Sequence, residues 1–152
     1  MACATARCGM VGSPIDARRA CDRFRRGGGG ERTSSSYIAY AGNRAIGFIQ
    51  SYQAVAFHAD GWWLDERDAG VYGIDQFLAN AEELGRGLGT AMVRSFVATL
   101  FADASVTRVQ TDPDPTNGRA VRCYTKAGFR AAHEVITPDG LSLVMYADRP
   151  ST

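Results

Sequence analysis

Two stretches concentrate the residues able to do chemistry. The first is Leu84-Gly-Arg-Gly-Leu-Gly-Thr90, set between a strand pattern and a helix pattern. Its glycines let successive backbone N–H groups face inward, and the helix that follows adds the positive end of a dipole. Together they suit a pyrophosphate. The stretch lacks the Lys-Ser/Thr ending of a P-loop and the spacing of the dinucleotide fingerprint, so read alone it also fits a flexible turn. The second stretch is Asn117-x-x-Ala120-x-x-x-Tyr124-x-x-x-Gly128-Phe129. On a helix, Asn117, Ala120 and Tyr124 share one face at spacings of three and four.

The elements that must position these residues read as follows. Residues 37–40 and 45–52 are strands joined across Ala41-Gly-Asn-Arg44, where Gly-Asn is a hairpin signal. A charged loop with paired tryptophans covers 60–70, and 71–79 is the next strand. A glycine-rich loop covers 82–89, and 90–100 is a helix with Met92, Val93, Phe96, Val97 and Leu100 at helical spacing. Residues 107–111 are a short strand, ended by Asp112-Pro-Asp-Pro115 because proline has no N–H to pair. Residues 117–126 are a helix stopped by Gly128. Strands over 129–136 and 141–146 flank the turn Thr137-Pro-Asp-Gly140. The order β-β-β-α-β-α-β-β gives an α/β chain with a mixed sheet.

Composition narrows the class. The chain has 152 residues, enough for one domain with one core. With 45% hydrophobic and 22% charged residues it is globular rather than disordered. No apolar run approaches the roughly 18–20 residues of a membrane span, and no continuous apolar segment near the start supports a secretory signal. Net charge is +1, with no general pull toward nucleic acid or an anionic membrane. That value hides an asymmetry: residues 1–32 carry seven arginines against three acids, net +4, and residues 33–152 carry ten basic residues against thirteen acids, net −3. A cationic partner suits the body of the chain. Cys3, Cys8, Cys21 and Cys123 form no C-x-x-C pair, and His58 and His133 lie far from them. No metal site is expected, and free thiols in a reducing cytoplasm are.

The glycine loop and the Asn-to-Phe pattern together resemble the GNAT superfamily of N-acetyltransferases, one departure being Leu84, where many members have Gln or Arg. Further motifs narrow the likeness: Asp60-Gly-Trp-Trp63, Gly73-Ile-Asp-Gln76, Gln110-Thr-Asp-Pro-x-Pro115, Arg122-Cys-Tyr124, Lys126-Ala-Gly-Phe129 and Thr137-Pro-Asp-Gly140. With Tyr52 and Leu78-Ala-Asn80, they resemble the aminoglycoside 6′-N-acetyltransferases from about Tyr37 to Tyr146. The resemblance implies a three-layer αβα fold and transfer of an acetyl group from acetyl-CoA to an aminoglycoside 6′-amine. It implies a cofactor site at Gln76, Gly85, Arg86, Gly87, Leu88, Gly89, Thr90 and Asn117. It implies no metal, no nucleic acid and no membrane partner, in a monomer or homodimer.

The acceptor side follows from charge. An aminoglycoside carries several ammonium groups, and carboxylates converging on it supply charge-assisted hydrogen bonds. Asp60, Asp112 and Asp139 fall on matching family positions and are the candidate substrate contacts, whereas Asp65, Glu66, Asp68 and Asp114 read as solvated surface acids. Trp62 and Trp63 fit either the core or a wall of the sugar site. Asp75 is the candidate base, or a holder of the ammonium while solvent takes the proton. Tyr124 suits protonation of the leaving thiolate.

Residues 1–36 stand apart. They hold Gly27–Gly30 and then four small hydroxyl residues, with only a weak helical period over 15–24. Glycine runs leave backbone entropy poorly offset, so a weakly ordered segment 1–36 ahead of a GNAT domain over 37–150 is expected. The family places a strand and two helices there, which this segment does not resemble; a shifted reading frame or a wrong start would account for that. The expected fold lacks that strand and those helices, with activity impaired. The alternatives are a GNAT enzyme for another small amine and a non-enzymatic CoA-binding remnant.

Overall fold

The computed structural model describes residues 15–19, as backbone, and 34–151. Along it run strands β1 (Ile15–Arg19), β2 (Ser34–Ala41), β3 (Arg44–Gln53) and β4 (Val71–Leu78), then helix α1 (Leu88–Phe101) and strand β5 (Arg108–Thr111). Helix α2 (Gly118–Lys126) and strands β6 (Arg130–Thr137) and β7 (Gly140–Asp148) complete it. Short 3-10 helices occupy Ala54–Asp60 and Ala81–Glu83. The hairpin read from Gly-Asn forms, with Gly42 at φ 60°.

One seven-stranded sheet runs β1-β2-β3-β4-β5-β7-β6. Every neighbouring pair is antiparallel except β4 and β5. Those two pair only over Val71–Gly73 and Arg108–Gln110. Past that point β4 runs on to Leu78, while β5 stops before Asp112-Pro113, so the sheet splits open at its centre.

Strand alternation gives the sheet two different faces. One is apolar. Helix α1 buries Met92, Val93, Phe96 and Val97 in a cluster with Ile49, Ile74, Val109 and Met145 from four strands. Tyr124 of α2 and Phe129 join the same cluster, so both helices share this face. The Arg94 guanidinium donates to the Lys126 carbonyl at 2.6 Å and ties one helix to the end of the other. On the opposite face Phe48, Gln50 and Tyr52 stand beside Phe77, Asp75 and Gly73 across β3 and β4. The Phe48 and Phe77 rings stack at 5.2 Å, and Gln50 Nε2 donates to Asp75 Oδ2 at 2.8 Å. Among the described residues, this second face is covered by the 3-10 helix Ala54–Asp60 and the loop 61–70, not by long helices.

One local expectation is corrected. The weak helical period over 15–24 gives way to β1, paired antiparallel to β2 from Ile15↔Ala41 to Arg19↔Tyr37. A leading strand is therefore present. Ladder hydrogen bonds to an otherwise open β2 edge outweigh a faint apolar period. Strand β2 also begins at Ser34, ahead of the expected position 37. The rest of segment 1–36, with Cys3, Cys8 and Cys21, lies outside the described residues.

Candidate active site

The split between β4 and β5 brings two groups together. On the helix face Tyr124 is buried, with the Thr111 and Gln76 side chains acting on its hydroxyl. Burial, aided by the Asp75 charge, pushes Tyr124 up to about 12 against the pull of those two side chains. Gln76 Oε1 is buried and has no partner among the described residues, so the split holds a spare acceptor. Asp75, the next residue back along β4, faces the other side of the sheet. Burial raises its carboxyl above the usual range; the Gln50 hydrogen bond opposes this and the Asp139 charge adds to it.

On that side lies a cavity of about 560 Å³, lined among others by Gln50, Tyr52, Trp62, Trp63, Asp75, Asp112, Asp139 and Ser142. Asp112 follows β5 into it, and burial together with the Asp75 charge pushes its carboxyl up to about 7. Tyr52 is raised by burial and by both carboxylates. Its ring lies so close over β4 that a Cβ at Gly73 would meet it at 2.3 Å, so only glycine fits there. Trp63 has φ 53°, a strained value for a bulky residue. The two tryptophans sit at 6.0 Å, half-buried, as a wall of the cavity rather than core.

Beyond the split, the loop from Leu84 enters α1. Gly85 (φ 78°) and Gly87 (φ 80°) are left-handed, and Gly87 caps the helix with no side-chain bond to its first N–H groups. Those amides are left for another acceptor. Nothing lies within 4 Å of a Cβ built at either glycine, so the approach is clear. The loop is anchored by the Arg44–Glu83 ion pair and by Asn80, which accepts from the Glu82 N–H at 3.0 Å. Thr90 Oγ1 reaches Cys123 Sγ at 3.6 Å, where α1 passes α2 at Gly89. Asn117 caps α2, accepting from the Ala120 N–H at 3.2 Å, so the helix proper starts one residue later than the sequence pattern implies. These uncovered amides and the spare Gln76 oxygen fit a pyrophosphate with an amide-bearing arm reaching the split.

The sequence matches the acetyltransferase (GNAT) domain family over residues 5–137. This chain belongs to the GNAT acetyltransferases. The match starts well before Tyr37, where the motif likeness begins. Over 119 residues the chain is 51% identical to the aminoglycoside N(6′)-acetyltransferase type 1 of Klebsiella pneumoniae, covering 78% of this chain and 59% of that protein. It is 57% identical over 88 residues to a kanamycin resistance protein of Rhizobium radiobacter, covering 58% of this chain and 82% of that one. The crystal structure of aminoglycoside acetyltransferase AAC(6′)-Ib in complex with coenzyme A and kanamycin superposes with a TM-score of 0.75 at 52% identity, covering 78% of this chain and 68% of that one. The chain thus spans about three-fifths of the length of the type 1 relatives it matches.

Within this GNAT frame, five of the six residues assigned from sequence to base and acceptor roles line one cavity: Asp75, Asp112, Asp139, Trp62 and Trp63. Asp60, the sixth, ends the 3-10 helix and does not line it. Asp114, read as a surface acid, reaches the cavity rim while its carboxylate also holds the Thr116 N–H at 2.8 Å. Gln50, Tyr52 and Ser142 were not singled out as site residues. Tyr52 stood in a family motif, but only the β3–β4 register shows that it and Gln50 flank Asp75.

Proposed function

We propose that this GNAT chain transfers the acetyl group of acetyl-CoA to the 6′-amine of an aminoglycoside. The observation that carries the reading is the convergence of Asp75, Asp112 and Asp139 on one cavity at the split where Tyr124 stands. Three carboxylates in one cavity repel each other unless a polycation sits among them, and several ammonium groups answer that demand. The relatives' names and their kanamycin-bound structure support the same acceptor. Acetyl-CoA, once bound, supplies the activated thioester. The Gly85–Gly87 amides and the α1 N-terminus hold its pyrophosphate, and Asn117 and Gln76 hold the arm. Trp62 and Trp63 orient a sugar face. Asp75 takes the proton that the ammonium must lose before it attacks. Its raised affinity for protons suits that task better than an ordinary carboxylate would. Tyr124, protonated at neutral pH, gives its proton to the departing thiolate. We place the reaction in the cytoplasm, where Cys123 stays a thiol.

The test is an assay of purified chain with acetyl-CoA and kanamycin, reading free thiol and product mass. Singly acetylated kanamycin is expected. Asp75→Asn should lower turnover about 10²- to 10³-fold and leave acetyl-CoA affinity as it was. Acetyl-CoA binding without transfer would reduce the chain to a CoA-binding protein. Equal turnover of an uncharged analogue would point to a different acceptor.

A further inference from the structure

A second cavity of about 220 Å³ lies on the same sheet face, on the other side of Trp63, which lines both. At its floor is Gln110, 2% exposed, whose Nε2 has no partner among the described residues. A buried amide donor left unpaired is unfavourable, so this one is set to meet an acceptor. Val135, Tyr146 and Trp63 line it, together with the exposed Asp65 and the half-buried Glu66. Glu66 Oε1 is taken by the N–H groups of Arg67 and Asp68, at 2.9 Å each. The lining offers the buried Gln110 donor, apolar and aromatic groups, and two carboxylates. A hydroxyl that accepts from Gln110, a ring face against Trp63 and an ammonium at Asp65 match this arrangement in order. At an aqueous volume of about 30 Å³ each, the space holds roughly seven waters, on the scale of one small ring.

We propose that this cavity behind Trp63 is a second compartment of the acceptor cleft, taking a single amino-sugar ring with Gln110 as its buried donor. The proposal rests on the aminoglycoside reading of the first cavity, but its test does not need turnover. Binding of glucosamine, with glucose as the uncharged control, is followed by the side-chain amide resonances of ¹⁵N-labelled protein. Glucosamine should shift the Gln110 Nε2 signals, and Asp65→Asn should weaken that binding several-fold. Gln110→Met keeps the bulk and removes the donor; it should weaken glucosamine binding about fivefold, read from other cavity amides, with the melting temperature confirming the fold. In Asp112→Asn, which disables the first cavity, the Gln110 shift should persist. Loss of the shift in Asp112→Asn, or glucosamine binding untouched by both Gln110→Met and Asp65→Asn, would overturn the second compartment. Failure to acetylate kanamycin would instead count against the first-cavity reading and leave the glucosamine result standing by itself.

Discussion

On β4, Ile74 is fully buried beneath the helices, while its neighbour Asp75 opens into a cavity shared with Asp112, Asp139 and, at its rim, Asp114. The same contrast runs through β3, where Ile49 is core and Gln50 holds Asp75. It recurs on β5, where Val109 is core and Gln110 floors the second cavity. One sheet therefore carries two chemistries that its period of two keeps apart. The helix face holds the dense apolar contacts. That leaves the opposite face able to gather carboxylates in one cavity, which a core would not tolerate.

If stability resides mainly on the helix face, the largest loss comes from emptying it. Phe96 is 2% exposed and meets the Tyr37 ring edge-on at 5.0 Å. Phe96→Ala should cost about 3–5 kcal/mol in urea unfolding. Gln50→Ala on the other face should cost far less. Comparable losses from the two would erase the division.

The next largest effect tests the loop that joins the faces. Gly87 takes φ 80°, which a β-branched residue reaches only at about 1–2 kcal/mol. Valine there also projects a side chain into the open approach to the α1 amides. Gly87→Val should weaken acetyl-CoA binding about tenfold or more by calorimetry, and leave glucosamine binding unchanged. Unaltered acetyl-CoA affinity would remove the loop from the cofactor site.

What was legible in the sequence divides along the same line. Helix α1 announces itself because a buried face leaves a period, whereas the closing strands, one of them almost wholly exposed, are marked by the turn Thr137-Pro-Asp-Gly140 between them. The left-handed turn at Gly85 and Gly87 and the inward face of Tyr124 were legible because a positive φ and helical spacing restrict residue types. Strand β1 was missed: five residues, Ile-Asp-Ala-Arg-Arg, carry little apolar signal, and the β2 edge decides their conformation. Tyr52 and Gln50 gain their roles from the register that sets them beside Gly73 and Asp75, which spacing along one strand does not disclose. Asp60 and Asp139 looked alike in sequence; a 3-10 helix turns one away, and the β6–β7 turn brings the other in.

The smallest expected effect sharpens the view of the acidic face. Asp112 titrates at about 7 in the folded chain, above the ordinary carboxyl value of about 4. The folded state therefore holds that proton more tightly than the unfolded chain does. The associated stability is fully present below about pH 4 and is lost as pH rises through 7. Asparagine has no proton to lose, so Asp112→Asn should escape this decline. Between pH 4.5 and 8 the parent should lose, relative to the variant, on the order of 1 kcal/mol, a figure reduced for the solvent that reaches a half-buried side chain. Urea midpoints at several pH values measure it directly. Kanamycin added at pH 8 should close the gap from the parent's side, because ammonium groups favour the ionised carboxyl and reward only the chain that has one. Its binding to the parent near pH 6.5 should release a proton, visible as a buffer-dependent heat that Asp112→Asn diminishes. Identical pH profiles for the two chains would mean that Asp112 is an ordinary solvated acid and that the cavity stores no charge repulsion for a polycation to relieve.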